Sequence, residues 1–262
     1  MSQPPKILIG APVYKRAWIL EEWFERIEAQ TIPLSDLGFV FELGPDDQET
    51  YEVLWKWQSS HPEVNIFDAR ISEEPNQRTH PDGRRRWKRD DYHRMVHLRN
   101  SLLARVINYT PDRYFSLDSD ILLDHPETLE YLYNVTETRD AASPLCYMWA
   151  TGKSFPNVMS WVDVSGGKAR RIIGEYPRRS IFKSDVIMAA KMMRPEVYSS
   201  VRYSWHPQGE DLGWSADAAM KGFELYSAHG AYCPHIMHQW MLPQYKTGKD
   251  ERNFNGSIKL VK

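Results

Sequence analysis

Four places in the chain hold residue types whose spacing could do chemistry. Asp118-Ser119-Asp120 follows the apolar stretch Arg113-Tyr114-Phe115-Ser116-Leu117. In extended backbone alternate side chains share a side, so such a pair could present both carboxylates to one hard cation, Mn2+ or Mg2+. The same spacing also arises as a solvated pair of loop acids. Glu210-Asp211, after Gly209, reads as a helix start. There the helix dipole stabilises an acid by about 0.3–1 kcal/mol, and a carboxylate could equally take a proton from a hydroxyl. Cys233-Pro234-His235-Ile236-Met237-His238 holds two imidazoles that strand alternation would put on opposite faces, either one a metal ligand or a residue packed beside the core. Arg84-Arg85-Arg86-Trp87-Lys88-Arg89 is the densest basic cluster, next to Gly83. It reads as a flexible lid grasping phosphates, as a surface for an anionic acceptor such as nucleic acid, or as a solvated loop.

The elements that must position these groups follow from apolar spacing. Lys6 to Ala11 is a short apolar strand, and Leu20, Trp23, Phe24 and Ile27 then fall at helical spacing. Phe39-Val40-Phe41 is a second strand, Glu42 to Asp47 a polar loop, and Tyr51, Leu54 and Trp55 mark a second helix. Val64 to Phe67 is a third strand, Ser72 to Asp91 a long loop, and Met95, Leu98, Leu102 and Val106 a third helix. Arg113 to Leu117 is a fourth strand, ending at the Asp pair. Asp124 and Pro126 then begin a helix whose buried face is Leu129, Leu132 and Tyr133.

The second half differs in texture. Ser165-Gly166-Gly167-Lys168 signals a hairpin, Asp185 to Met193 a strand, and Arg194-Pro195-Glu196 a short helix. Leu212 to Met220 continues the helix opened at Gly209 and stops at Gly222, with late strands at 223–226 and 231–237. Strands alternating with helices predict an α/β fold with a mainly parallel, helix-flanked sheet. Trp161, Trp205, Trp214 and Trp240 are either core or stacking surfaces for sugars and bases.

A chain of 262 residues with 42% apolar and 26% charged residues has enough apolar content for a real core and lacks the signature of disorder. No stretch approaches the roughly 18 consecutive apolar residues of a membrane span, and the start runs directly into a strand, so the expected compartment is cytoplasmic. Cys146 and Cys233 are too isolated for a disulfide framework or a zinc knuckle. The formal charge of −2 hides an asymmetry: residues 78–99 carry eight Arg/Lys and three Asp, a local +5 against −7 elsewhere.

Tyr114 to Leu123 with its Asp-x-Asp, Leu98-Arg99-Asn100 upstream, Gly209-Glu210-Asp211 downstream and the opening Ile9-Gly10-Ala11-Pro12-Val13-Tyr14-Lys15-Arg16 together resemble the GT-A-fold nucleotide-sugar glycosyltransferases. The resemblance runs over residues 6–240 in element order and is specific at these four places. It implies a Rossmann-type mixed sheet, with residues 1–123 binding the nucleotide sugar, residues 124–240 shaping the acceptor side around the hairpin, and residues 241–262 as a tail. It implies a metal-dependent transfer of a hexosyl or pentosyl group from a nucleoside-diphosphate sugar, of the UDP class, to an acceptor hydroxyl.

Carried over by position, Asp118 and Asp120 would hold Mn2+ or Mg2+ with His235 or His238, and Asp118 would also contact the donor. Pro12, Tyr14 and Arg16 would lie against the nucleotide, Glu42 would contact base or ribose, and Arg99 and Asn100 would stand at the donor. Glu42 departs from the family pattern, since Glu42-Leu43-Gly44-Pro45-Asp46-Asp47 replaces a pair of aspartates and a serine. Arg84 and Arg85 would close over the diphosphate. Glu210 and Asp211 would serve the acceptor, Asp211 ahead as base. The acceptor is a glycan, a protein, a small molecule or a modified base in nucleic acid. Two other functions fit the same residues: a non-catalytic nucleotide-sugar-binding protein, and a nucleotidyltransferase, which the lack of a glycine-rich phosphate loop near the first strand disfavours.

Overall fold

Alternation within the first strands already requires helices on both faces of a sheet. In β1 (Ile7–Val13), Ile7, Ile9, Ala11 and Val13 join one buried cluster while Leu8 joins another. Strands apolar on both sides are the mark of a covered parallel sheet. The computed structural model describes residues 4–72, 89–150, 153–164, 167–172 and 180–247. In chain order β1 is followed by α1 (Ala17–Glu28), β2 (Leu37–Leu43), α2 (Gln48–Ser60), β3 (Ile66–Ile71), α3 (Arg89–Tyr109), β4 (Arg113–Leu117), α4 (Thr128–Thr138) and β5 (Ala141–Ala150). Then come β6 (Lys153–Pro156), β7 (Val158–Val164), β8 (Gly167–Ile172), β9 (Ile181–Ser184), β10 (Val186–Ile187), β11 (Ala190–Met193), α5 (Pro195–Ser200), α6 (Glu210–Met220), β12 (Leu225–Pro234) and α7 (Met241–Lys246).

The main sheet runs β3-β2-β1-β4-β11-β5-β12-β9, with β6 added to β5. β1 pairs in parallel with β2 and β4, β2 with β3, and β12 with β5, while β11 runs antiparallel between β4 and β5. This is the mixed, mainly parallel, helix-flanked α/β sheet expected. β7 and β8 form the expected hairpin, joined by β10 into a separate three-stranded sheet. One face of the main sheet packs Trp23 and Phe24 of α1 on Phe39 and Phe41, with Trp57 of α2 stacked on Phe24 at 3.9 Å. The other face packs Leu102, Leu103 and Val106 of α3 with Trp214 of α6 on Leu8, Val40 and Tyr114.

Four local expectations are corrected. Trp55 is 58% exposed, and the inward residues of α2 are Thr50, Leu54 and Trp57, so the aromatic that meets the core lies two positions on. Pro126 precedes α4, whose first residue is Thr128, rather than sitting in its first turn. The expected strand from Asp185 to Met193 is two strands, broken at Ala189, where φ is +65°. The two late strands are one, β12, interrupted by a register shift between Ala228 and Tyr232. That irregularity lies where β5 carries Pro144, which has no N–H to give to a ladder.

Candidate active site

The carboxyl ends of β1, β2 and β4 share one edge of the sheet, the place where open α/β sheets bind ligands. Asp118-Ser119-Asp120 leaves β4 there as a turn, closed by the Ile121 N–H donating to the Asp118 carbonyl at 3.1 Å. Strand alternation therefore does not aim the two acids; main-chain bonds do. Ile236 N–H donates to the Asp120 carbonyl at 2.8 Å and Leu122 N–H to the Pro234 carbonyl at 3.0 Å, and Ile121 bridges His235. The acid turn and the His235 segment, more than a hundred residues apart, are thereby locked together.

Charged side chains then pair across this edge. Asp120 Oδ1 lies 3.1 Å from His235 Nε2 and its Oδ2 lies 2.6 Å from Arg16 Nη2. Asp118 Oδ1 lies 2.7 Å from Arg99 Nη2, and Arg99 Nε reaches Glu210 Oε1 at 3.1 Å. Arg99 Nη1 also donates to Ser116 Oγ at 3.2 Å, and the guanidinium lies over the Tyr203 ring. Asp211 takes an ion pair from Lys191 and the Ala189 N–H at 3.1 Å. The break in the strand at Ala189 is what turns that N–H toward the acid.

Burial opposes every charge here, and the partners decide the outcome. Burial alone would lower the His235 pKa, but Asp120, helped by Asp118, raises it above the ordinary imidazole value. Burial and the neighbouring Asp211 push the Glu210 carboxyl up. Burial would do the same to Asp211, yet Lys191 and Arg99 outweigh it and hold that carboxyl below the usual range. Lys191, fully buried between the Tyr203 and Trp214 rings, is in turn held charged by Asp211.

The loop after β1 is fixed from the second strand-helix unit. Lys15 has φ +53°, and its N–H bonds the Asp47 carboxylate. The Arg16 N–H donates to Thr50 Oγ1 at 3.0 Å, and Tyr14 Oη to Asp46 Oδ2 at 3.2 Å. Gly44 is required at its position, since a Cβ there would stand 2.2 Å from the Tyr14 ring. Next to Tyr14, a cavity of about 230 Å3 is lined by Leu43, Gly44, Pro45, Asp47, Tyr51 and Ile71, among others. Pro12 lies on β1 half-buried, beside Glu42 in register.

The structure thus brings together Arg16, Arg99, Asp118, Asp120, Glu210, Asp211 and His235. It leaves others out. Glu42 is buried against α3, ion-paired with Arg105 at 3.0 Å and bonded by Ser101. Asn100 uses its amide on both main-chain groups of Tyr203, at 2.9 Å each, and so clips the loop before α6. His238 is exposed and stacked on Trp240, because β12 ends at Pro234 and alternation no longer applies; His235 is the imidazole at the acids. Arg84 and Arg85 lie outside the described residues, as does the Trp161 side chain. Trp214 is core, while Trp205 is partly exposed under Arg89 and beside His93. Lys191 was not anticipated, although a single charge inside the apolar run Ala189-Ala190-Lys191-Met192-Met193 is a signal that could have found it.

Among the described residues, no three His, Cys, Asp or Glu side chains form a ready-made metal cage. Asp120 Oδ1 and His235 Nε2, 3.1 Å apart, nevertheless fit a hard cation, which at a diphosphate takes one or two protein ligands and completes its shell with phosphate oxygens and water. Nor is any helix among the described residues long and apolar enough to cross a membrane.

The chain is 25% identical over 220 residues to procollagen galactosyltransferase 1-A of Xenopus laevis, a match covering 81% of this chain; it spans about a third, 35%, of that relative's length. Its fold is similar to mannosyltransferase PcManGT from Pyrobaculum calidifontis, solved with GDP-Man and Mn2+, with a TM-score of 0.57, 16% identity, and coverage of 91% of this chain and 59% of the other. It is also similar to S. aureus TarS 1-349 in complex with UDP-GlcNAc, with a TM-score of 0.56, 14% identity, and coverage of 88% and 60%. The sheet is therefore that of the GT-A glycosyltransferases. The model of the glycosyltransferase family 25 N-terminal domain matches residues 4–160, more than half of the sequence, and the chain belongs to that family.

Proposed function

We propose that the chain is a metal-dependent glycosyltransferase that moves a hexosyl or pentosyl group from a nucleoside-diphosphate sugar to an acceptor hydroxyl. The observation that carries this reading is the convergence, at one sheet edge, of Asp120 and His235 with the Arg99-linked acids Asp118 and Glu210 and the Lys191-paired Asp211. Tyr14 and the cavity beside it would receive the nucleoside, with Pro12 flanking. Asp120 and His235 would hold Mn2+ or Mg2+, which when bound stabilises the charge that gathers on the departing diphosphate. Arg99 keeps Asp118 and Glu210 oriented from inside the fold.

Asp211 is the proposed proton acceptor. A general base must stand ionised at the working pH, and the ion pair with Lys191 keeps Asp211 so. The Xenopus relative, named a procollagen galactosyltransferase, makes a galactosyl donor and a protein acceptor the first to screen.

The test is nucleoside diphosphate release from UDP- and GDP-sugars with Mn2+, for the parent, Asp120→Ala and Asp211→Asn. Release by the parent, with losses of about 100-fold or more in the variants, is expected. A parent that binds nucleoside diphosphate without turnover would instead be a binding protein, and pyrophosphate release from a nucleoside triphosphate would mark a nucleotidyltransferase.

A further inference from the structure

Asp120 already has a cation. Its Oδ2 lies 2.6 Å from Arg16 Nη2 while Oδ1 faces His235, so both oxygens that would meet a divalent ion are engaged by protein groups. The Arg16 main chain is fixed independently of its side chain. Its N–H is held by Thr50, and its carbonyl accepts the N–H groups of Ile19 and Leu20 at 2.9 and 3.1 Å to open α1. The side chain, 17% exposed, can therefore leave Asp120 without unwinding the turn. Trp18, with its ring centroid 5.8 Å from Arg16 Cζ, flanks the guanidinium and keeps it at this edge.

A guanidinium on Oδ2 and a divalent ion on Oδ1 would share the single charge of one carboxylate, and their mutual repulsion in a partly buried site weakens the hold of each. A guanidinium released beside a diphosphate has a better partner, since its planar fork matches phosphate oxygens. We propose that Arg16 is the resident counter-cation of Asp120, and that it exchanges places with the divalent ion, moving from the carboxylate to the diphosphate as the nucleotide enters. This rests on the metal-dependent reading above. Its consequence is coupling: the ion binds weakly alone and tightly with the diphosphate, because only the diphosphate gives Arg16 somewhere to go.

The test measures Mn2+ uptake by the full chain, from the loss of the free-ion paramagnetic resonance signal, with Mn2+ alone and with UDP or GDP added. Arg16→Ala is expected to bind Mn2+ alone at least tenfold more tightly than the parent. Its affinity for the preferred nucleoside diphosphate at saturating Mn2+ should fall at least tenfold. Arg16→Lys, which keeps the charge but not the fork, should lie between, and it carries the comparison if Arg16→Ala melts early. Equal Mn2+ affinity in the parent and both Arg16 variants, with Asp120→Asn abolishing uptake, overturns the exchange and leaves the metal site standing. No uptake by any of the proteins, with or without nucleotide, overturns both.

Discussion

Lys191 and Asp211 show how much one side chain can hold in place. A lysine with no exposed surface survives because Asp211 neutralises it, and Asp211 stays ionised in turn because Lys191 is there. Removing one partner leaves the other as an uncompensated buried charge, so Lys191→Met is expected to cost about 3–5 kcal/mol in urea unfolding. The double variant with Asp211→Asn should recover much of that loss; equal losses in single and double variants would show that the pair is not coupled. Glu210 carries the opposite sign. Its carboxyl is raised by burial and by Asp211, so its contribution to stability is present below its ordinary pKa and is lost as pH rises through the raised value. Glu210→Gln should therefore compare more favourably with the parent in melting temperature at pH 8 than at pH 4. A pH-independent difference would contradict the shift.

At the scale of elements, α6 is aimed by its contacts rather than by its own propensity. Gly213 lies against the loop before the helix, and a Cβ there would stand 2.1 Å from the main-chain oxygen of Ser204, which cannot swing aside as a side chain could. Gly213→Ala should cost about 1–3 kcal/mol, a fall of roughly 3–10 °C in melting temperature, and raise the acceptor KM by shifting Glu210 and Asp211. Gly222→Ala is the control: its φ of +82° makes alanine costly by about 1–2 kcal/mol, but nothing crowds the site and the acid pair stays put. Its acceptor KM should match the parent's, and a rise equal to that of Gly213→Ala would sink the positional argument. The first four strands and their helices were legible in the sequence because each is locally apolar at its own period; Arg113–Leu117 was found to the residue. β5 was not, since Asp140-Ala141-Ala142-Ser143-Pro144 offers small residues and a proline where a central strand should be β-branched. At the site, Arg99, Asp118, Asp120, His235 and the Glu210-Asp211 pair could be named from motif, whereas Lys191 and Arg105 act through partners distant in sequence. Asn100 and Glu42 sat in the right motifs and spend their side chains on the fold.

For the whole molecule, the near-zero net charge is a cancellation whose partners are drawn from both ends of the chain. Asp120 from the first half depends on His235 from the second, and Arg99 on Glu210. The sheet is interleaved in the same way, because β11, from the second half, lies between β4 and β5 and covers the hydrogen-bonding edge that β4 would otherwise expose. A donor half ending at residue 123 would therefore keep β1 to β4 but present the β4 edge, with Phe115 and Leu117, to water, and would lose the main-chain bonds that hold the acid turn to His235. Exposed strand edges of that kind associate rather than fold. We expect fragments 1–123 and 124–262 produced separately to show no cooperative thermal transition, and fragment 1–123 to have lost the affinity of the full chain for nucleoside diphosphate with Mn2+. A cooperative melt of fragment 1–123 with the full chain's affinity would mean that the donor site is built by the first half alone, and that β11 and β12 only close a sheet that could already stand.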